Sequence, residues 1–172
     1  MVVAIPRLPR RARVVLLTVH VATSVGWLGL DGALVALEVT CLGSGNPTEQ
    51  AGIAAAMGVL ASWVLIPVVF TSSVSGLVLA LSTPWGLARH WWVLAKCAIA
   101  VALAGTGLLL MLPRLQQIVA GDGAPVGMQT LVGRSAALVL LLVATGVSVA
   151  KPWGKTPYGR AVRVPRQRVQ QK

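Results

Sequence analysis

Acidic residues are nearly missing from this chain: four Asp and Glu stand against fifteen Lys and Arg in 172 residues. Charge of either sign is scarce too, at 11% of residues, where a soluble domain averages ~25%. That shortage excludes an ordinary soluble domain. The apolar–polar alternation that the ~10-residue strands of a membrane barrel require is also missing. Two cysteines with no CxxC between them leave a thiol redox relay without support. Cys41 and Cys97 stand near opposite ends of their helices, too far apart in depth for a disulfide. The phosphate-cradling patterns GxGxxG and GxxxxGK[ST] do not occur, nor does a hydrolase or kinase signature.

What the chain has in abundance is apolar sequence. Hydrophobic residues make up 56%, with a mean hydropathy of +0.79. They gather in four segments, about 14–42, 51–81, 91–112 and 129–150, each exceeding the ~20 residues that carry a helix across the hydrocarbon. The expected fold is all-α: an up-down bundle of four transmembrane helices, between a basic N-terminus (1–13) and a basic tail (151–172). The first segment is too long for the apolar core of a signal peptide, and no A-x-A site closes it. Pro67 is expected to kink the second span, and the outer loop 43–50 reads as a turn.

The excess positive charge is one-sided. Arg7, Arg10, Arg11 and Arg13 precede the first span, Arg89 lies between the second and third, and seven basic residues follow the fourth. The opposite loops carry Glu49, Arg114 and Asp122, which nearly cancel. This asymmetry predicts cytoplasmic termini. Trp85, Trp91, Trp92, Trp153 and Tyr158 fall at the same boundary, as an interfacial aromatic belt does. The partners expected are the lipid bilayer, anionic headgroups at the basic ends, and a membrane protein. Nucleic acid is not expected, because no folded basic module accompanies the charge.

Inside the first span, His20, Ser24, Trp27, Asp31 and Glu38 recur at spacings of four, three, four and seven. At ~100° per residue they form a stripe ~60° wide on one face. A carboxylate on a membrane helix costs a few kcal/mol unless partnered, so this stripe is expected to face protein. Depth counting supplies a partner: Asp31 lies ~27 Å past Arg13 and Arg134 ~26 Å before Lys151, at ~1.5 Å per residue. An Asp31–Arg134 ion pair is therefore expected, with Glu38 reaching the outer headgroups and Lys96 snorkelling to the inner surface. Thr71, Ser72, Ser73 and Ser75 form a polar knot in span two, read as close helix packing.

Four chemistries compete for these residues. His20 and His90, the only histidines, could hold a b-type haem if the third helix begins early enough to bring them to one depth. Cys41, Met57, Met111 and Met128 gather toward the outer helix ends, and their soft sulfurs suit copper(I). A proton or ion path along the stripe is opposed by Trp27, which would break a water wire. The reading favoured is a non-catalytic accessory or scaffold protein, in which His20, Ser24, Trp27, Asp31 and Arg134 form a buried polar network fixing helix register.

The strings HVATSVGWLG (20–29), TPWGLARHWWVLAK (83–96) and LLVATGVSVAKPWGKTPYGR (141–160) resemble a group of small four-span actinobacterial membrane proteins. That group is similar to the DUF2269 family and, more distantly, to CopD-type copper-resistance membrane proteins. The resemblance implies a plasma-membrane four-helix protein with no assigned activity and carries over His20 and His90 as ligand candidates. Members of the group often have a further histidine early in the last span. This chain instead reads GRSAALVLLL there, with Arg134.

Overall fold

The computed structural model describes residues 8–82, 89–107, 109, 127–151 and 153–161. Among these the chain is helical, with no strand and one isolated bridge, His90 to Lys155. Helix α1 runs Arg10–Gly43, α2 Pro47–Ser82, α3 Trp91–Thr106 and α4 Met128–Ala150, followed by a short α5, Pro157–Ala161. Helices α1, α2 and α4 are long and apolar enough to cross a membrane; α3 is apolar but shorter over its described length. The remainder of the expected third span, to 112, lies largely outside the described residues. So do the distal tail (162–172) and the loop residues Arg114 and Asp122.

Two boundaries differ from the sequence expectation, each for a local reason. Helix α1 opens at Arg10, so Arg10, Arg11 and Arg13 lie on its first turns instead of preceding it. Helix α2 opens at Pro47 rather than 51, and the outer loop shrinks to Ser44–Asn46. The Asn46 side chain accepts from the Thr48 N–H at 3.0 Å, and Pro47 fills the first helical position, where a missing N–H costs nothing. Ser44 closes the turn: its hydroxyl donates to Glu49 Oε2 at 2.7 Å, and its carbonyl accepts from Gln50 Nε2 at 2.6 Å.

Midway along α2 the helix widens into one π turn, Ala61–Leu65, where the Ile66 N–H reaches back to the Ala61 carbonyl. Pro67 explains it. Its ring crowds the carbonyl four residues earlier, at Trp63, and it brings no N–H to bond there. Widening the turn relieves that conflict without ending the helix.

The packing forms a closed circuit. Helix α1 lies against α2 and α4, α3 lies against α4 and α2, and α1 and α3 do not touch among the described residues. Pairs Cys41–Gln50, Ser24–Ser72 and His20–Ser75 show α1 and α2 running antiparallel. The residues facing inward on α1 are Trp27, Asp31, Leu34, Glu38 and Cys41, a 4-3-4-3 spacing that is the signature of left-handed helix packing. The outward faces are apolar: Trp63, Phe70, Val101 and Val139 are each more than half exposed. Such a surface suits lipid and not water.

Candidate functional site

The inward edge of α1 carries two separate polar clusters. The inner one begins at His20, whose Nδ1 lies 3.0 Å from the Ser72 carbonyl and 3.3 Å from the Ser75 hydroxyl on α2. A carbonyl can only accept, so Nδ1 carries the proton and Nε2 keeps its lone pair. No partner to Nε2 occurs among the described residues. Ser75 donates to the Thr71 carbonyl at 2.6 Å, and the Ser24 and Ser72 hydroxyls meet at 2.9 Å. These bonds fit the packing role expected of the serine knot. Ser73 is the exception: its hydroxyl is buried with no hydrogen-bond partner among the described residues.

Gly76 makes the cluster possible. A Cβ built there would lie 2.7 Å from His20 Cε1. The imidazole occupies the space that any side chain at 76 would take.

The outer cluster is a charge triad. Arg134 Nε donates to Glu38 Oε2 at 3.1 Å, while its Nη1 stands 3.6 Å from Asp31 Oδ1. Asp31 and Glu38 are 5% and 1% exposed, so both carboxylates lie in the helix interface. The structure thus brings Asp31 and Arg134 together and adds Glu38, which depth counting had assigned to the headgroups. The count placed Arg134 by its Cα, whereas its long side chain bridges positions two helical turns apart on α1. Arg134 lies nearly two turns after the start of α4. There the Thr130 hydroxyl donates to the Gly127 carbonyl at 2.6 Å and accepts from its N–H at 3.1 Å.

Trp27, 7% exposed, lies on the same edge between the two clusters. An indole carries no relay of hydroxyls or carboxylates, so the polar edge is interrupted by apolar bulk. Lys96 does not simply snorkel: its Nζ donates to Ser148 Oγ at 2.9 Å, tying α3 to α4.

The proposed metal and haem ligands stand in different surroundings. Cys41 is buried and its thiol points at the Gln50 carbonyl, 3.7 Å away. Met57 is buried, Met128 is 67% exposed, and Met111 lies outside the described residues. No group of three or more His, Cys, Asp or Glu side chains converges among the described residues. His90 occupies the N-cap position of α3, and its ring lies tilted by 51° to that of Trp92, with centroids 6.2 Å apart. Because α3 opens at Trp91, His90 stands at the helix entrance while His20 sits ten residues into α1, ~15 Å along its axis. The earlier start that would level the two imidazoles does not occur, and the helices bearing them do not adjoin. A bis-histidine haem site does not fit this arrangement.

At the end of the bundle where α3 begins, the stretch after α4 folds back on its entrance. The Thr156 N–H donates to the Arg89 carbonyl at 2.9 Å, and the Gly154 carbonyl accepts from the Trp91 N–H at 3.5 Å. Thr156 is buried and its side chain accepts from the Gly159 N–H at 3.0 Å, starting α5. Gly159 rests directly on the Arg89 carbonyl, leaving no room for a Cβ. Comparison of the chain with models of known families, with characterised proteins and with solved structures finds no match.

Proposed function

We propose that this protein is a multi-pass plasma-membrane protein, a four-span bundle with both termini in the cytoplasm, serving as a non-catalytic accessory or scaffold. Its relationship to the small actinobacterial four-span proteins is part of the same proposal. The observation that carries it is the Arg134 guanidinium between Asp31 and Glu38 on the packed edge of α1. Charges buried at a helix–helix contact fix register, because any slip strands them in an apolar surrounding. The residues assigned to this network are His20, Ser24, Trp27, Asp31 and Arg134, joined by Glu38, and none is assigned a catalytic step.

The test is thermal unfolding of detergent-solubilised protein. Arg134→Gln strands two carboxylates and should cost ~3–5 kcal/mol. Replacing all three members with leucine should recover most of that loss, since apolar substitutes for a buried ion cluster are often neutral or better. A single substitution that leaves melting unchanged defeats the proposal. So does an intense Soret band, or stoichiometric copper, in the protein as isolated from its native membrane.

One observation favours a second reading. His20 is oriented through Nδ1, with no partner to Nε2 among the described residues, the arrangement in which a histidine serves as a ligand. On that reading His20 alone, without His90, would take a haem or another electrophilic group. Loss of any such absorbance in His20→Ala would identify it.

A further inference from the structure

The inner end of α3 carries a cleft of about 520 Å³, lined by Trp91, Leu94, Ala95, Ala98 and Trp153. Four of these recur at i, i+3, i+4 and i+7, one stripe of a helix. Two alanines form its floor, where larger side chains would fill it. Trp153, supplied by the segment after α4, forms the other wall. Both tryptophans are about half exposed, at 51% and 49%. The lining is almost wholly apolar, and the cleft is shallow and open along its outer side.

What lies beside the cleft is equally specific. Backbone bonds from Thr156 to Arg89 and from Trp91 to Gly154 hold the 154–156 segment across the entrance of α3. Lys155, on that segment, pairs with His90 in the isolated bridge, immediately next to Trp91. Arg160 follows on α5, whose Gly159 rests on the Arg89 carbonyl. Lys155 and Arg160 are both exposed. An apolar slot between two interfacial tryptophans thus opens beside exposed cations. Along the chain, the polarity passes from the apolar wall at Trp153 to positive charge at Lys155.

We propose that this cleft binds one anionic phospholipid, with an acyl chain along the Ala95–Ala98 floor and the phosphate at Lys155 and Arg160. The complement is chemical: a lipid of this class presents apolar chain and net negative headgroup in the same order. A soluble anion would not use the slot, and a zwitterionic lipid brings the same phosphate with an ammonium that offsets its charge beside the cations. The inference rests on the membrane reading above and names a partner for its basic boundary.

Native mass spectrometry of the full-length protein in mild detergent, titrated with phosphatidylglycerol or phosphatidylcholine of identical chains, tests it. One phosphatidylglycerol should be retained at concentrations roughly tenfold below those needed for phosphatidylcholine. Lys155→Glu with Arg160→Glu should abolish that preference. Ala98→Phe, at an exposed position, should remove tight binding of the anionic lipid while leaving the helical content unchanged. Saturable quenching of tryptophan fluorescence by brominated-chain phosphatidylglycerol gives a readout in the unmodified protein, and it should be lost in Trp91→Phe with Trp153→Phe. Equal retention of both lipids, or variants that keep the preference, overturns the site. Carbonate washing of membranes separates the two ideas. Protein released by the wash defeats the membrane reading, whereas protein that stays but binds both lipids alike defeats only the lipid site.

Discussion

At the scale of single residues, Gly76 shows how an absence of side chain shapes the inner cluster. The His20 ring lies where a Cβ at 76 would be, 2.7 Å from its Cε1. Gly76→Ala should therefore destabilise the α1–α2 contact by ~1–3 kcal/mol, the usual cost of overpacking a filled interface. The same change made in a His20→Ala background should cost much less, because the clashing ring is gone. A double-mutant cycle on melting temperature checks this; additive effects would mean that the ring and the glycine do not oppose each other. The polar edge of α1 was legible because His20, Ser24, Trp27, Asp31 and Glu38 share one period in the sequence. Gly76 was not legible as their counterpart. Its role depends on which α2 residue faces His20, and one sequence carries no signal for that pairing. Glu38 was misplaced for a related reason: rise per residue gives the depth of a Cα, not the reach of a guanidinium.

At the scale of elements, the same contrast appears in α2. Its apolar length and the disturbance near Pro67 follow from composition and ring sterics. The form of the disturbance does not, since a kink and a π turn both answer the same clash. The start of the helix is ambiguous in the sequence because Asn46–Pro47 suits a turn and serves equally as cap and first helical residue. The π turn carries a consequence for register. It inserts one extra residue between the half of α2 that bears Ser72 and Ser75 and the half that bears Met57 and Gly58, buried at the outer end. Deleting Val64 removes that extra residue and should let the wide turn close with both halves keeping their phase, so that Met57 stays buried and melting changes by less than ~1 kcal/mol. Pro67→Ala, which removes the cause but not the residue, should leave the wide turn in place, because closing it at unchanged length would rotate one half against the other by ~100° and take Met57 out of its buried position, a loss of ~2–5 kcal/mol. If the deletion costs several kcal/mol, the wide turn is not what keeps the two halves in register.

At the scale of the whole molecule, three kinds of polar tie hold three sides of the circuit of helices, while α2 and α3 meet on the fourth. Serine hydroxyls and His20 join α1 to α2, the Arg134 triad joins α1 to α4, and Lys96–Ser148 joins α3 to α4. Each is polar within an otherwise apolar contact. That is how helices choose neighbours when lipid is as apolar as their own side chains. The proposed orientation is a different matter and rests on charge outside the helices. Arg10, Arg11 and Arg13 lie at the start of α1; Lys151, Lys155 and Arg160 follow α4; and Arg89 stands beside Thr156. Glu49, at the far end of the α1–α2 hairpin, is engaged by Ser44. With four crossings both ends must share one side, and the basic excess predicts the cytoplasm. Fluorescent-protein fusions to either terminus should therefore fold and fluoresce, and alkaline phosphatase fusions there should stay inactive. A phosphatase inserted at Gly45 in the outer turn should be active. An active phosphatase at one terminus only would mean an odd number of crossings, making α3 a helix that lies against the bundle without spanning the bilayer. Activity at both termini would reverse the whole orientation and put the Lys155–Arg160 cations on the other leaflet.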